Sequence, residues 1–378
     1  MEVTHEIHQN WFQRNLKGDP VIWAVAVCLA IISILTVYSA AGAYAFKKFG
    51  GNTEAPLLKQ LSFIGLSLGV MWLTHKVDYR YYAKIALICL YISVPLLIAV
   101  IFIGENINSA SRWLRIPIVG ITFQPSDLAK FALITHISAI LAKKQQNIEA
   151  VQEYALPLLG WSGLICGLIA WANASTAIVL FSTVGLLMFI GRVPMKYLMA
   201  LVLVGMLGAG VALFKGERFK TVQKRIEAFS DPDKMSYQLQ QSFIAIATGG
   251  VVGKGPGNST QRNFLPHPYS DFIYAIVVEE YGLFGGIIVL FLFMVLLYRG
   301  MVTVARSERA FGGLLSAGLS FALVTQAFVN MGVAVGLGPV TGLPLPLVSM
   351  GGTSLLFTGV SLGIILSVSK GEVEENGV

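Results

Sequence analysis

The chain has 378 residues, of which 55% are hydrophobic and 12% charged, with a formal net charge of +7 and a mean hydropathy of +0.70. A water-soluble domain of this length needs far more charge on its surface, so the composition excludes that class and predicts a protein embedded in a bilayer. The cysteines Cys28, Cys89 and Cys166 lie in apolar segments without metal-ligand spacing. We expect packing roles for them and no disulfide.

Apolar runs long enough to cross about 30 Å of hydrocarbon recur along the whole sequence. They are continuous and do not alternate, so they predict helices and not a barrel. The fold class is therefore all-α: a polytopic membrane protein with about ten transmembrane helices in a single domain, residues 1–378. The predicted spans lie near 21–44, 59–76, 82–104, 127–142, 156–172, 175–191, 197–214, 272–298, 312–335 and 346–369.

Basic residues at the segment ends predict the orientation, because Lys and Arg are retained in short cytoplasmic connections. With the N-terminus inside, the inner connections carry more of them than the short outer connections do. We therefore expect the tails 1–20 and 371–378 in the cytoplasm, the second one acidic and disordered. The long loop 215–271 then falls outside.

The loop 215–271 contains many basic residues and several glycines. The glycines predict an irregular segment, with one amphipathic helix around 217–229 on the membrane surface. Two readings of its charge stay open. In the first, the charge has no role, because a long loop is translocated whatever its charge. In the second, the basic residues bind an anionic ligand such as a diphosphate or a lipid headgroup.

Two polar clusters come before this loop. The sequence SASRWLRI at 109–116 places Arg112 in an outer loop, either beside an interfacial tryptophan anchor or as a cation for a ligand. In GITFQPSDLAKFAL at 120–133, Gln124 and Pro125 mark a helix start, and Asp127 and Lys130 share one helical face. The alternative is structural, with Asp127 capping the helix and Lys130 extending toward it.

The segment 263–286 carries three acids, Asp271, Glu279 and Glu280, at the mouth of an apolar run. An ionised side chain in hydrocarbon costs roughly 2.5–3.5 kcal/mol, so such residues face a protein interior or a wet cavity. Glu279 and Glu280 lie about two turns inward from Asp271 and point in different directions. For these two we favour buried hydrogen-bonding struts between helices.

Prolines and glycines interrupt GPVTGLPLPLVSMGGTS at 338–354. Irregular backbone at membrane depth must be buried in protein or line a cavity. We predict that Ser349, Gly351 and Gly352 form a cavity wall or a lipid-binding surface. Ser349 is not expected to act as a nucleophile, because no basic partner lies close to it in sequence.

Taken in order, several motifs resemble the SEDS family (shape, elongation, division and sporulation), which comprises the FtsW and RodA types. The resemblance covers roughly residues 25–370. The matching motifs are FQPSDLAK, Asp231-Pro232 followed by Tyr237 and Gln241-Ser242, LPHPYSDFIYAIVVEEYGLFG, Gln326 with Asn330, and PLPLVSMGGTS. Met350, where relatives often carry tyrosine, favours the division type over the elongation type.

The resemblance implies a peptidoglycan glycosyltransferase of the bacterial cytoplasmic membrane that polymerises lipid II on the outer face, with inversion and release of undecaprenyl diphosphate. It implies a class B penicillin-binding protein as transpeptidase partner, together with other divisome proteins, and no nucleic acid. No cofactor is required by the sequence. A divalent cation is possible, at a site that the sequence leaves unknown.

The resemblance also carries residue roles. The family's essential acid falls on Asp271, which we expect to be the base, and its acid and base of the second motif fall on Asp127 and Lys130. Asp127 replaces the usual glutamate, and Asn173 stands where relatives commonly have an acid, which indicates a structural role for that position. Candidate cations for the diphosphate are Lys130, Arg112 and Arg218. Two other functions stay open: a lipid II flippase and a non-enzymatic divisome scaffold.

Overall fold

The computed structural model describes residues 15–42, 54–107, 110–115, 122–146, 151–214, 223, 225, 227–231 and 234–375, and these form a helical bundle. A small antiparallel sheet and two short 3-10 turns, Tyr79–Tyr81 and Gln261–Asn263, accompany the helices. The helices are α1 Pro20–Ala40, α2 Glu54–Lys76, α3 Tyr82–Ile103, α4 Pro125–Gln146, α5 Val151–Ala172, α6 Ala174–Ile190, α7 Met195–Phe214, α8 Tyr237–Gly249, α9 Ile273–Arg306, α10 Ala310–Ala334 and α11 Thr353–Glu375. The strands are β1 Glu105–Ile107, β2 Ala110–Arg115 and β3 Thr122–Phe123.

The all-α, polytopic prediction is confirmed, and a helix occupies each of the ten predicted spans. Within the described residues, seven helices are long and apolar enough to cross a membrane. They are α1, α2, the 3-10 turn with α3, part of α5, α9, α10 and most of α11. The number of crossings stays a prediction.

Four features differ from the sequence prediction. The loop 215–271 was expected to be irregular around its glycines, but it contains α8, which packs against α9. The outer loop at 109–116 forms strand β2 between β1 and β3, because the chain doubles back twice in this stretch. The last helix begins at Thr353 and not near 346. It continues to Glu375 into the tail 371–378 that was expected to be disordered.

Helix α4 lies at the centre of the bundle and is nearly fully buried along its length, with Leu133 and Ile137 both at 0% exposure. It packs against α3 and α10, and also against α5, α6 and α11. A helix surrounded by protein does not need an apolar face for lipid, so α4 can carry Asp127 and Lys130. Polar chemistry can therefore be placed inside the bundle.

Helices α2 and α11 approach closely because α11 presents Gly359 and Gly363 to α2. A Cβ at Gly359 would overlap Ser67 O, and one at Gly363 would overlap Thr74 Oγ1. Small residues four apart are a common device for packing two membrane helices backbone to backbone. This contact fixes the helix that follows the irregular segment before Thr353.

One end of the bundle is closed by contacts between the first, ninth and last helices. Asp19 lies 2.5 Å from Arg299 Nε, and its backbone N–H donates to Ser369 Oγ at 3.0 Å. Ser367 Oγ donates to Val77 O in the same region. The start of α4, the start of α9 and the start of α11 lie at the opposite end, which we call the site end.

Candidate active site

At the site end, strand β2 and the start of α9 meet around one glycine. Gly342 has a left-handed backbone, with φ of +67°. The position of a Cβ on it would lie 3.5 Å from Arg112 Nη1 and 3.6 Å from Asp271 Oδ2. Glycine is therefore the residue that leaves space between a half-buried carboxylate and a guanidinium. The structure thus brings together two predicted site residues that are far apart in sequence.

The segment before α11 is fastened to the residues that precede Asp271. Met350 N donates to Tyr269 O at 2.9 Å, and Ser349 Oγ donates to Ser270 O at 2.6 Å. Ser270 Oγ in turn donates to Asp271 Oδ1 at 3.0 Å. The two segments run together and hold the Asp271 carboxylate at the site end.

The prediction that Ser349 lines a substrate surface is wrong. Ser349 is 1% exposed, and its hydroxyl both donates to Ser270 O and accepts from Leu345 N at 2.8 Å. Its polar capacity is used within the protein, because the bend of 343–349 would otherwise leave backbone groups unsatisfied. The neighbouring Gly351 and Gly352 are half-buried and remain candidates for the wall of the site.

The side chain of Asn330, on α10, holds the backbone at Asp271 and the backbone at Leu343 in place. Its Nδ2 donates to Asp271 O at 2.9 Å and to Leu343 O at 2.7 Å, and the residue is 2% exposed. One amide therefore joins α10 to both segments that form the site. The sequence singled out Asn330 only as part of a motif, because its two partners are distant in the chain.

Asp127 and Lys130 form an ion pair of 2.8 Å inside the bundle, with the side chains 3% and 18% exposed. Lys130 Nζ also donates to Gln326 Oε1 at 3.2 Å, and Gln326 Nε2 donates to Pro344 O at 2.9 Å. Among the described residues, no partner reaches Asp127 Oδ2. A buried carboxylate oxygen without a partner is costly, so this side of the pair is suited to a ligand or water.

The Asp127–Lys130 pair opens onto a narrow cleft of about 50 Å³ between α4, α6, α10 and α11. The walls are largely apolar, and Ser354, Thr358 and Ser361 provide hydroxyls along α11. A cleft of this size holds a water molecule or a small polar group beside the ion pair. Gln326 and Asn330 are one turn apart, about 6 Å along α10, so the polar contacts of Lys130 and of Asp271 reach neighbouring turns of the same helix.

The start of α4 is built as the sequence predicted. Pro125 is the first residue of the helix, a position where its missing N–H costs nothing. Gln124 N donates to Thr353 Oγ1 at 3.3 Å, and Gln124 Nε2 donates to Ser126 Oγ at 2.8 Å. These bonds join the starts of α4 and α11, so the Asp127 turn is anchored to the irregular segment.

Asn173 caps α6, and its Oδ1 accepts from Thr176 N at 3.4 Å. Asn173 is 5% exposed. Its capping role explains why an amide can replace the acid at this position, since asparagine and aspartate cap helices equally well.

Arg218, the remaining candidate cation, lies outside the described residues. No group of three or more His, Cys, Asp or Glu in the described part of the chain is arranged to hold a metal ion.

Glu279 and Glu280 anchor the loop between α8 and α9. Glu279 is 0% exposed and accepts from Lys254 Nζ at 2.6 Å, Thr260 N at 3.1 Å and Ser259 Oγ. Glu280 is 1% exposed and accepts from Ser39 Oγ on α1. Both carboxylates accept hydrogen bonds from protein donors and act as struts, although Glu280 Oε2 has no partner among the described residues.

The α9 backbone breaks just after these acids, where Gly282 has φ of +66°. Loop backbone fills the break: Lys254 N donates to Glu279 O at 3.0 Å, and Gly255 N donates to Glu280 O at 2.9 Å. A Cβ on Gly282 would overlap Val251 O. The loop after α8 is therefore locked onto α9 through backbone bonds as well as side chains.

Comparison with known proteins gives full-length matches. A family model described as "Cell cycle protein", for FtsW, RodA and SpoVE, matches residues 19–374. The chain is 32% identical over 367 residues to a probable peptidoglycan glycosyltransferase FtsW of Geobacter sp. (strain M18), covering 94% of this chain and 98% of that protein. It is 31% identical over 365 residues to stage V sporulation protein E of Bacillus subtilis (strain 168), with the same coverage of 94% and 98%.

Solved structures share the fold. The crystal structure of the rod shape determining protein RodA of Thermus thermophilus superposes with a TM-score of 0.69 at 25% identity, covering 96% of this chain and 99% of that one. A chain from a structure of a peptidoglycan synthase complex that coordinates polymerization and crosslinking superposes with a TM-score of 0.71 at 24% identity, covering 94% and 98%.

Proposed function

Since the chain belongs to the cell cycle protein family of FtsW, RodA and SpoVE, we propose that it is a peptidoglycan glycosyltransferase that polymerises lipid II. The observation that carries this proposal is the placing of Asp271 and Arg112 on either side of Gly342. A carboxylate and a guanidinium on opposite sides of one glycine can act on the acceptor and on the leaving group of a glycosyl transfer. The first accepts a proton and the second stabilises a departing anion.

In this reaction Asp271 removes the proton from the acceptor sugar hydroxyl. The oxygen attacks the anomeric carbon of the donor in line, forms the new glycosidic bond with inversion, and the bond to the lipid diphosphate breaks. Undecaprenyl diphosphate leaves as an anion with both electrons of that bond. A diphosphate is a good leaving group, so one carboxylate suffices, whereas hydrolases of glycosides use a pair.

Arg112 and Lys130 are the cations that we assign to the diphosphate. Arg112 lies by Asp271, and Lys130 lies at the charged end of the apolar cleft. A guanidinium pairs with phosphate oxygens through two parallel N–H bonds, while an ammonium acts as a point charge.

We place the site on the outer face of the cytoplasmic membrane, with both termini inside. Contacts of Asp19 and Ser369 close the end of the bundle opposite Asp271, so the two tails and the site lie at different ends. The inner connections near that closed end are the ones rich in Lys and Arg. This orientation presents the active site to lipid II that has already crossed the membrane.

We further propose a role in septal wall synthesis with a transpeptidase partner of the class B penicillin-binding type. Support comes from the relatives named FtsW and from the fold shared with a chain of a complex that polymerises and crosslinks peptidoglycan. Depletion of the protein in cells should produce filaments. Round cells would instead indicate an elongation role.

The test of the enzyme is polymerisation of labelled lipid II by purified protein, supplied with its partner, in proteoliposomes. Wild type should produce glycan chains, and Asp271→Asn should lose them. Asp78→Asn, which alters an exposed acid at the opposite end, is the control and should polymerise normally. Near-normal turnover by Asp271→Asn refutes the assignment, and movement of intact lipid II between leaflets without polymer would identify a flippase.

A further inference from the structure

A second cleft lies at the site end, outside the site described above. It measures about 1040 Å³, open mouth included, between the stretch that leads into α8 and the residues that follow α10. Arg225, Phe229, Lys234 and Gln238 line one side, and Pro339 and Val340 line the other. Neither Asp271 nor Lys130 contributes to it.

The start of α8, which forms part of one wall of this cleft, is fixed relative to the other wall. Ser236 caps α8, with its Oγ accepting from Leu239 N at 3.4 Å. On the same helix, Ser242 Oγ donates to Ala334 O at 2.8 Å, and Ser242 is 0% exposed. Helix α8 is therefore tied to the end of α10, from which the opposite wall continues. The part of the cleft formed by Ser236, Gln238 and Leu239 is thereby held against the residues that follow α10.

The lining combines three kinds of group. Phe229 is 44% exposed, so the face of its phenyl ring is accessible from the cleft. Gln238 supplies an amide, and the charged groups are two cations, Arg225 and Lys234, and one carboxylate, Glu227, which leaves the lining net positive. Lys234 meets Asp231 at 3.7 Å in an exposed pair, which holds it only weakly. A ring face for sugar C–H groups, an amide for hydroxyls and cations for carboxylates together fit a glycan that carries acidic peptides.

One wall of the second cleft continues along the chain toward Asp271. Val340 is two residues before Gly342, and Gly342 separates Asp271 from Arg112. Two residues span at most about 7 Å, and a Cβ on Gly342 would lie a further 3.6 Å from Asp271 Oδ2, so the wall of the cleft begins within about 11 Å of the carboxylate. A saccharide strand leaving Asp271 along this wall would enter the cleft directly.

We propose that this cleft binds the sugar–peptide strand beyond the reacting unit, with Phe229 as the surface on which a sugar ring lies. The inference rests on the proposed polymerase function and adds a strand-binding site to it. Holding the strand between successive additions makes polymerisation processive, because the product does not diffuse away after each step. The site thus governs chain length and not the chemical step.

The test uses the purified full-length chain in nanodiscs and two measurements. The first is the affinity for a lipid-free glycan tetrasaccharide bearing stem peptides, by calorimetry. The second is the length of the glycan made from lipid II, together with the initial rate of coupling. Phe229→Ala should weaken tetrasaccharide binding roughly tenfold, as expected for loss of an aromatic anchor, and should shorten the chains at an unchanged initial rate.

Two matched variants accompany it. Phe264→Ala removes another exposed phenyl ring, 55% exposed in the same outer loop but not part of the cleft, and should behave as wild type. Phe229→Tyr keeps the ring and should restore both affinity and chain length. These comparisons hold even if the alanine variant is less stable, because the tyrosine variant keeps the packing.

Equal binding of the tetrasaccharide by wild type and Phe229→Ala overturns the proposal, and so does the absence of binding to wild type. The two readouts also separate this inference from the function it rests on. Binding that depends on Phe229 without polymer formation would support the cleft and refute the polymerase. Polymer whose length is insensitive to Phe229, made by a protein that does not bind the tetrasaccharide, would do the reverse.

Discussion

Replacing Asn330 with leucine tests whether the position of Asp271 depends on α10. The substitution keeps the approximate volume and removes an amide whose Nδ2 donates to Asp271 O and Leu343 O. Both carbonyls then lose a donor in a place where the residue is 2% exposed and water does not reach. At about 1–3 kcal/mol for each orphaned group, the free energy of unfolding should fall by roughly 2–6 kcal/mol.

The catalytic loss should be larger than the stability loss explains. A displacement of about 1 Å at a catalytic group costs on the order of 10²-fold in rate, so kcat per folded molecule should fall by about that factor. Because Asn330 is buried below the site, KM should stay close to the wild-type value. The assay is lipid II polymerisation, normalised to the folded fraction from thermal unfolding in detergent.

Ser316→Ala is the matched control for Asn330→Leu. Ser316 is on the same helix and 0% exposed, and its hydroxyl donates to Gly300 O at 3.2 Å near the opposite end of the bundle. It should lose about 1 kcal/mol of stability and keep its kcat. If Asn330→Leu polymerises within twofold of wild type, or if Ser316→Ala loses activity equally, the positioning argument is refuted.

Three further outcomes follow from the same contacts. Lys130→Met leaves Asp127 buried without its cation, so the unfolding free energy should drop by roughly 3–5 kcal/mol, measured by thermal unfolding, and the double variant with Asp127→Leu should recover most of it. Gly282→Ala should lower the yield of folded protein sharply, because its φ of +66° and the neighbouring loop carbonyl exclude a Cβ. Glu279→Gln and Lys254→Met should be non-additive in a double-mutant cycle of unfolding free energies, with a coupling of about 1–3 kcal/mol, since they form one ion pair of 2.6 Å.

Each of these has a result that would contradict it. Wild-type stability of the single Lys130→Met variant would show that Asp127 is solvated. Normal yield of Gly282→Ala, or equal loss for Gly250→Ala, where a Cβ would meet no atom within 4 Å, would show that the break in α9 is not constrained by the loop. Additive effects of Glu279→Gln and Lys254→Met would mean that the pair is not formed in solution.

The sequence alone predicted the helices that cross the bundle, because a long continuous apolar run fits a membrane helix and few other structures. The predicted span 175–191, for example, corresponds to the helix Ala174–Ile190. Helix α8 was not found because it is short and lies among glycines and polar residues. Leu239, Phe243 and Ile246 follow the spacing of a helical face and would have indicated it.

Inside the site, the local pieces could be predicted and the long-range ones could not. The start of α4 at Pro125 and the nearness of Asp127 to Lys130 follow from positions three or four residues apart. Arg112 approaches Gly342 and Asp271 because β2 pairs with β1 in an antiparallel sheet, and this pairing could not be predicted from local spacing. Ser349 was misassigned because a hydroxyl in an irregular segment gives no local sign of whether it faces a ligand or the backbone.

The closure between Asp19 and Arg299 has a consequence for synthesis of the protein. The two residues are 280 positions apart, and the other contact of Asp19, with Ser369, spans 350. At ribosomal speeds of about 5–20 residues per second, the acid emerges roughly 14–56 s before its arginine does. Until Arg299 is synthesised, Asp19 at the start of α1 lacks the cation that pairs with it in the folded protein. The contact of Asp19 with Ser369 can form only after the last helix has been made.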